Sequence, residues 1–309
     1  MYYFIVNPAA TNGRGRIIWD KVLRYLNKTD NAEKYEAYIT EKSGDARDYA
    51  HKLSEDVQET KTITVIGGEG TFNEVVDGVN MDGDNISLAY IPTNSDNDIA
   101  RSFRRKYNLK AQLKRLFSDS DEVLLDYGVL NCSTMNRRFA VSSGIGLDAA
   151  IFLDLYDEKC ACEKQKKKLD RIQRFNYVRT VIRELFRTKP TKGYVILDGK
   201  KHEFNNVLFI SCHVHPYDGG YMVCPGASGN DGWLDVCIVS TKQKWRWYII
   251  LFSSIFGLHV TRTGVHLYRC KSAEIHMTEA LPAHVDGESI GKQSDFTLNC
   301  IPQKLKLRI

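Results

Sequence analysis

The sequence predicts an α/β protein in two parts, a doubly wound, mostly parallel sheet followed by a β-sandwich. Up to about residue 122, short apolar runs alternate with stretches of helical periodicity, the pattern of βαβ units with helices on both faces of a parallel sheet. After Asp126-Tyr127-Gly128 the chain turns to short β-rich runs at irregular spacing, which reads as a sandwich. No internal repeat or low-complexity linker separates the parts, so they should be tightly joined.

In order, the first part reads as a strand at Tyr2 to Val6, a helix near Ile17 to Leu26, a strand at Lys34 to Ile39 and a helix near Ala46 to Leu53. The apolar run Ile63 to Ile66 then enters the glycines Gly67, Gly68 and Gly70 and leaves through Thr71 into a helix with apolar residues at Phe72, Val75, Val76 and Val79. A strand at Ser87 to Ile91 and a helix near Leu109 to Phe117 complete it. The loops at Asn7 to Gly15, Thr40, Gly67 to Thr71 and Thr93 to Asp98 all follow strands. Ligands in such sheets sit beyond the strands' carboxyl ends, so one cleft can collect these loops.

The second part offers strands at Arg138 to Ser142, Gly193 to Leu197, Asn206 to Cys212, Leu234 to Val239, Ala273 to Met277 and Phe296 to Cys300. A helical insertion at about residues 157 to 187 interrupts them, with Leu169, Ile172, Phe175, Val178, Ile182 and Leu185 as an apolar stripe. The segment Trp245 to Leu258 is strongly apolar but only 14 residues long, short of the roughly 20 needed to span a bilayer. It reads as a buried helix of the second domain, with a membrane-interface element as the alternative.

A length of 309 residues suits about two domains, and 43% hydrophobic with 26% charged residues is ordinary for a globular protein. The eight cysteines are scattered without a Cys-x-x-Cys and the start lacks a secretory pattern, which fits free thiols in a reducing cytoplasm. From Lys159 to Lys192, twelve Lys and Arg face three acids, a local +9 in a chain of net +5. That patch is either a solvated helix face or an attraction to anionic headgroups. No nucleic-acid-binding pattern accompanies it.

The glycine turn has two readings. Its N–H groups and the following helix's positive end can hold phosphate oxygens, or the glycines serve packing alone. It is neither a Rossmann G-x-G-x-x-G nor a P-loop. His213 and His215 share a strand face but lack a third zinc ligand at recognisable spacing, and no Gly-x-Ser-x-Gly elbow supports a serine hydrolase.

Five stretches in order, Asn7-Pro8, GGEGTFNEVVDGV, IPTNSDNDIAR, GGYMVCPGASGNDGWLDV and Asp286-Gly287-Glu288, resemble the diacylglycerol kinase catalytic-domain family, whose members phosphorylate diacylglycerol, sphingoid bases and related lipids. The resemblance runs from about residue 1 to the C-terminus and implies a nucleotide-binding domain at 1–127, rejoined by about 303–309, and a lipid-substrate sandwich at 128–302. It implies ATP and Mg²⁺, with nucleotide contacts at Asn7, Pro8, Thr40, Gly67, Gly68, Glu69, Gly70, Thr71, Asn73, Glu74, Ser95, Asn97 and Asp98. It also implies a structural Mg²⁺ at Ser228, Asp231 and Trp233. Glu288 would take the proton from the lipid hydroxyl, with Asp286 beside it.

Two departures stand out from the family pattern. Glu69 stands where the family has aspartate, and Asn94 and Asp96 stand where it has glycines. The expectation is an ATP-dependent lipid kinase in the cytoplasm, meeting a peripheral membrane surface, with no nucleic-acid partner and with a homodimer left open. The competing readings are a catalytically weakened lipid- or nucleotide-binding relative and an NAD kinase-like enzyme.

Overall fold

The computed structural model describes residues 1–29, 35–94, 98–102, 108–118, 122–154 and 172–308. Strands β1 (Tyr2–Val6), β2 (Tyr35–Ile39), β3 (Lys61–Gly67) and β4 (Ile86–Pro92) run parallel in the order β2-β1-β3-β4. Every residue of β3 and β4 is buried, as both faces of a parallel sheet must be covered.

Side chains alternate across the sheet, so each strand feeds two cores. Tyr3, Ile5, Ile63, Val65, Leu88 and Tyr90 pack with Ala46, Ala50 and Leu53 of α2 (Asp45–Glu55) and with Phe72, Val75 and Val76 of α3 (Glu69–Gly78). Phe4, Val6, Ile66, Ala89 and Ile91 turn the other way, onto α1 (Ala10–Leu26) and onto α5 (Leu109–Leu116), which follows the short α4 (Asp98–Ser102).

The second part begins with β5 (Glu122–Asn131), β6 (Asn136–Phe139) and β7 (Ser142–Gly146). A helix over 147–154, α6, and α7 (Ile172–Arg187) lead to β8 (Thr191–Leu197) and β9 (Lys200–His213). A small ribbon of β10 (Tyr217–Asp218) and β11 (Tyr221–Met222), then β12 (Leu234–Ser240), α8 (Lys244–Ser254), β13 (Val265–Cys270), β14 (Ser272–Val285) and β15 (Glu288–Arg308) follow. The strands run β13-β12-β9-β7-β14-β15, with β8 pairing β14 and β9. Leu130, Phe139, Val195, Ile210, Val236, Ile275 and Phe296 belong to the core between them. The mixed α/β architecture with a sandwich-like second part is therefore present as the sequence predicts.

β15 joins the two parts. Its first stretch pairs antiparallel with β14, its pairing with β5 shifts register between Ile301 and Leu305, and Leu307 and Arg308 lie parallel to Leu88 and Ala89 of β4.

Three local expectations change. The run Arg138 to Ser142 is two strands, parted at Ala140 and Val141, whose backbone N–H groups turn to Asp286 instead of a strand partner. The apolar segment after Lys244 is helical but not a buried helix, because only Trp247, Ile250, Ser253 and Ser254 of α8 are buried. In the helical insertion, residues 157–171 lie outside the described residues; in α7, Val181 and Leu185 are buried while Ile182 faces outward.

Candidate active site

The three glycines after β3 have different tasks. A Cβ on Gly67 would stand 2.6 Å from the Thr71 side chain, so this position is needed for packing. A Cβ on Gly68 would meet nothing within 4 Å, and one on Gly70 would meet only Glu288 Oε1, at 3.4 Å. The turn at the start of α3 is thus open above Gly68 and Gly70 and lies against the carboxylate of a distant strand. This is a cradle that a ligand's oxygens can enter and a side chain would fill.

Neighbouring loops tie into it. Asn7 Nδ2 donates to Thr71 Oγ1 at 3.0 Å, while Asn7 Oδ1 accepts from the backbone of Ala9 and Ala10. The chain beyond Pro8 takes left-handed dihedrals at Thr11, Asn12 and Gly13, and Thr11 and Thr93 hydroxyls meet at 2.8 Å. A Cβ on Gly15 would lie 2.0 Å from the Asn7 carbonyl oxygen, so a glycine there lets the first helix approach this loop. Thr40 is held by its N–H on the Val6 carbonyl at 2.9 Å. Ser95 and Asn97, with Asp96, lie outside the described residues. Asn94 Oδ1 is buried without a hydrogen-bond donor among the described residues.

Two expected nucleotide contacts face elsewhere. Asn73, 1% exposed, donates to Asp286 Oδ2 at 2.7 Å and to the Arg138 carbonyl, and accepts from Arg137. Its amide is saturated by the second part of the protein. Glu74 Oε1 accepts from Ser43 Oγ and Gly44 N, holding the loop before α2.

Acidic groups gather beside the cradle. Glu69 Oε1 accepts from the Asp98 N–H at 2.5 Å. Burial, then the charge of Asp98, pushes the Glu69 carboxyl up to about 8. Asp98 Oδ2 accepts in turn from Gly220 N at 3.2 Å. Asp218 accepts from Ser142 Oγ at 2.6 Å, and burial pushes it up to about 7 although His284 pulls it back. His284 is fully buried with Nε2 3.4 Å from Asp148 and 4.0 Å from Asp218. Burial opposes its protonation, but the two carboxylates outweigh that and raise its pKa.

The turn between β14 and β15 carries Asp286, Gly287 and Glu288. Asp286 sits at φ +45° and accepts from the N–H groups of Ala140, Val141 and Ser142. A carboxylate receiving three backbone donors and the Asn73 amide is a fixed post, and burial alone holds its pKa above the usual range. Glu288 is freer. Burial raises its pKa while Arg137, 3.1 Å away, restrains the rise. Arg137 is itself anchored on Asp77 at 2.8 Å.

An apolar cleft opens beside this turn. Leu147, Ile151, Phe152, Phe209, Trp247 and Ile250 are among its walls, Asp148 and Asp218 form its polar end, and its empty space including the open mouth is about 730 Å³. Phe152 stacks near His284, with centroids 4.9 Å apart, and a Cβ on Gly287 would touch its ring at 3.6 Å. Phe152, one wall of the cleft, therefore lies against the turn that carries Glu288.

The third predicted group is of another kind. Asp231 Oδ2 is 2.6 Å from Arg269, its Oδ1 accepts from Trp233 N at 3.2 Å, and Ser228 Oγ donates to Asn230 Oδ1. Both carboxylate oxygens are engaged and the adjacent positive charge is a guanidinium, so these residues as they stand do not fit a divalent ion. Among the described residues, no three His, Cys, Asp or Glu side chains are arranged to hold a metal.

Sequence reasoning missed Arg137, Asp148, Asp218 and His284. His284 stands two residues before Asp286, close enough to have been weighed with it; the others lie in unremarkable strands and helices and meet only through the fold.

The open glycine turn, the carboxylate turn against it and the apolar cleft sit in a two-part α/β fold, and the family follows from comparison. Residues 1–128 match the diacylglycerol kinase catalytic domain and residues 157–309 the YegS C-terminal NAD kinase beta sandwich-like domain. The chain belongs to the diacylglycerol kinase catalytic-domain family. It is 28% identical over 316 aligned residues to a Bacillus subtilis protein named "Putative lipid kinase YtlR", covering 99% of each chain. A Bacillus subtilis diacylglycerol kinase is 24% identical, covering 92% of this chain and 88% of its own. A solved structure of a diacylglycerol kinase from Bacillus anthracis superposes with a TM-score of 0.70 at 18% identity, covering 99% of this chain and 96% of the other.

Proposed function

We propose that this lipid-kinase-family protein transfers the γ-phosphoryl group of ATP to a hydroxyl of diacylglycerol or a related lipid. The observation that carries the reading is the approach of Glu288 to the open glycine turn at Gly70, with Phe152 of the apolar cleft against the same carboxylate-bearing turn. The apolar walls of that cleft suit acyl chains better than the polar halves of a dinucleotide.

ATP supplies the electrophilic phosphorus, and the accompanying Mg²⁺ offsets the charge on its oxygens. The open N–H groups at Gly68 and Gly70, with the start of α3, hold the phosphates; Asn7 fixes Thr71 at their side. Glu69 and Asp218 are buried carboxyl groups whose pKa values are raised, and a cation arriving with the nucleotide would favour their ionised forms. Glu288 accepts the proton as the lipid oxygen attacks. Arg137 favours the ionised form of that carboxyl against its burial, and Asp286 holds the turn and strands β6 and β7 in place.

The test is transfer of labelled phosphate from ATP to a panel of diacylglycerol, monoacylglycerol, sphingoid base, undecaprenol and NAD. Labelling of a lipid supports the proposal. Labelling of NAD alone overturns it, and ATP binding without transfer to any acceptor favours the weakened relative, for which the buried Glu69 in place of aspartate is the motivating feature.

A further inference from the structure

α8 has two apolar faces and only one is covered. Trp247, Ile250 and Leu251 line the cleft, while Trp245 (59% exposed), Phe252 (71%) and Phe256 (63%) point outward. Phe186 of α7, 63% exposed, extends the patch across a 6.4 Å edge contact with Tyr248. Large apolar side chains clustered in this way mark an interaction surface, whereas scattered ones do not.

The charge around the patch selects its occupant. From Lys242 to Arg262 the sequence holds Lys242, Lys244, Arg246 and Arg262 and no Asp or Glu. Lys242, Lys244 and Arg262 are exposed, and Arg246 stands over the Trp245 ring at 5.3 Å. Aromatic side chains with cations at their edge are the composition of a helix lying in a headgroup layer. The helix is too short to cross: among the described residues none is long and apolar enough to do so. Its inner face walls the cleft, so about 10 Å, one helix diameter, separates the patch from that cleft.

We infer that the outer face of α8, with Phe186, docks on an anionic lipid surface and brings the cleft to the bilayer from which its occupant is drawn. The docking stands on the patch and its charge; the delivery of a substrate rests on the lipid-kinase reading.

The full chain is sedimented with vesicles of phosphatidylglycerol mixed into phosphatidylcholine, and with phosphatidylcholine alone. Binding should favour the anionic vesicles and weaken with salt. The double variant Phe252→Asp/Phe256→Asp should bind at least about tenfold more weakly, since each ring otherwise leaves water. Brominated lipid should quench wild-type tryptophan emission, and Trp245→Phe should remove that quenching. A wild-type chain that stays in solution, or an aspartate variant that binds equally well, overturns docking through this face. So does a wild-type dimer, seen in sedimentation equilibrium, that the two aspartates dissociate, because the patch would then belong to a second copy. In a separate arm, transfer to a water-soluble short-chain diacylglycerol should be unchanged in the double variant while transfer to vesicle-embedded long-chain diacylglycerol falls about tenfold. Equal loss on both substrates overturns the docking role. If the wild type phosphorylates no lipid, the kinase reading fails and the vesicle arm still decides the docking.

Discussion

Arg137 Nη2 stands 3.1 Å from Glu288 Oε2, joining a strand that begins the second part to the turn that ends near the glycine cradle. The pair is partly buried, with side-chain exposures of 18% and 35%, so the guanidinium acts on the carboxyl with limited screening by water.

Arg137→Met should therefore move the acid limb of the activity profile to higher pH. Burial already raises the Glu288 pKa, and loss of the cation raises it further. Glu288→Gln should lower turnover at least about a hundredfold and leave nucleotide binding near wild type. An unmoved acid limb in Arg137→Met would detach Glu288 from the proton transfer.

The glycine turn predicts a split among neighbours. Gly70→Val should leave the fold intact and abolish nucleotide binding, because its side chain enters open space beside Glu288. Gly67→Val should instead lower the melting temperature, because its Cβ collides with Thr71. Calorimetric titration with ATP and thermal melts of the two variants separate these effects.

Stability should depend on pH in a defined direction. Glu69 and Asp218 bind their protons more tightly in the folded chain, with values near 8 and 7. Their contribution is whole below the ordinary carboxyl range and is lost as pH rises through those values. Buried His213 and His215, pushed down to about 3 and about 4, act in the opposite sense, but only below their ordinary value of about 6.5. Between about pH 6.5 and 8 the melting temperature should fall, and Glu69→Gln should flatten that fall. A rising melting temperature across this window would contradict the acidic cluster.

At the Asp231 turn, Arg269→Met should lower the melting temperature, because it leaves Asp231 and Asp235 facing each other without their shared cation. EDTA should not change it. A melting temperature that falls in EDTA and returns with Mg²⁺ would place an ion where the guanidinium now lies.

The alternating sheet and the glycine turn were readable because each is a local pattern: period-two strands, helical stripes and a run of glycines. The division of labour within Gly67, Gly68 and Gly70 was not, because it depends on Thr71 packing and on a strand more than 200 residues away. The family resemblance offered Asn73 as a nucleotide contact, yet its amide closes a contact to Asp286 across the two parts. The oxygen-rich turn at Ser228, Asp231 and Trp233 looked like a metal loop because Arg269 comes from another strand. Pairing between distant segments is information a single sequence does not display.

The path of β15 has a consequence for how the chain reaches its native state. Among the described residues, the β4 edge of the glycine-bearing sheet finds its second neighbour in Leu307 and Arg308, so a nascent chain emerging from the ribosome holds that sheet with a raw edge until β15 has been made. Such an edge invites wrong partners. Folding of that half should thus wait for β15 rather than proceed domain by domain, and shortened chains lacking the end of β15 should aggregate even though every residue of the glycine turn is present.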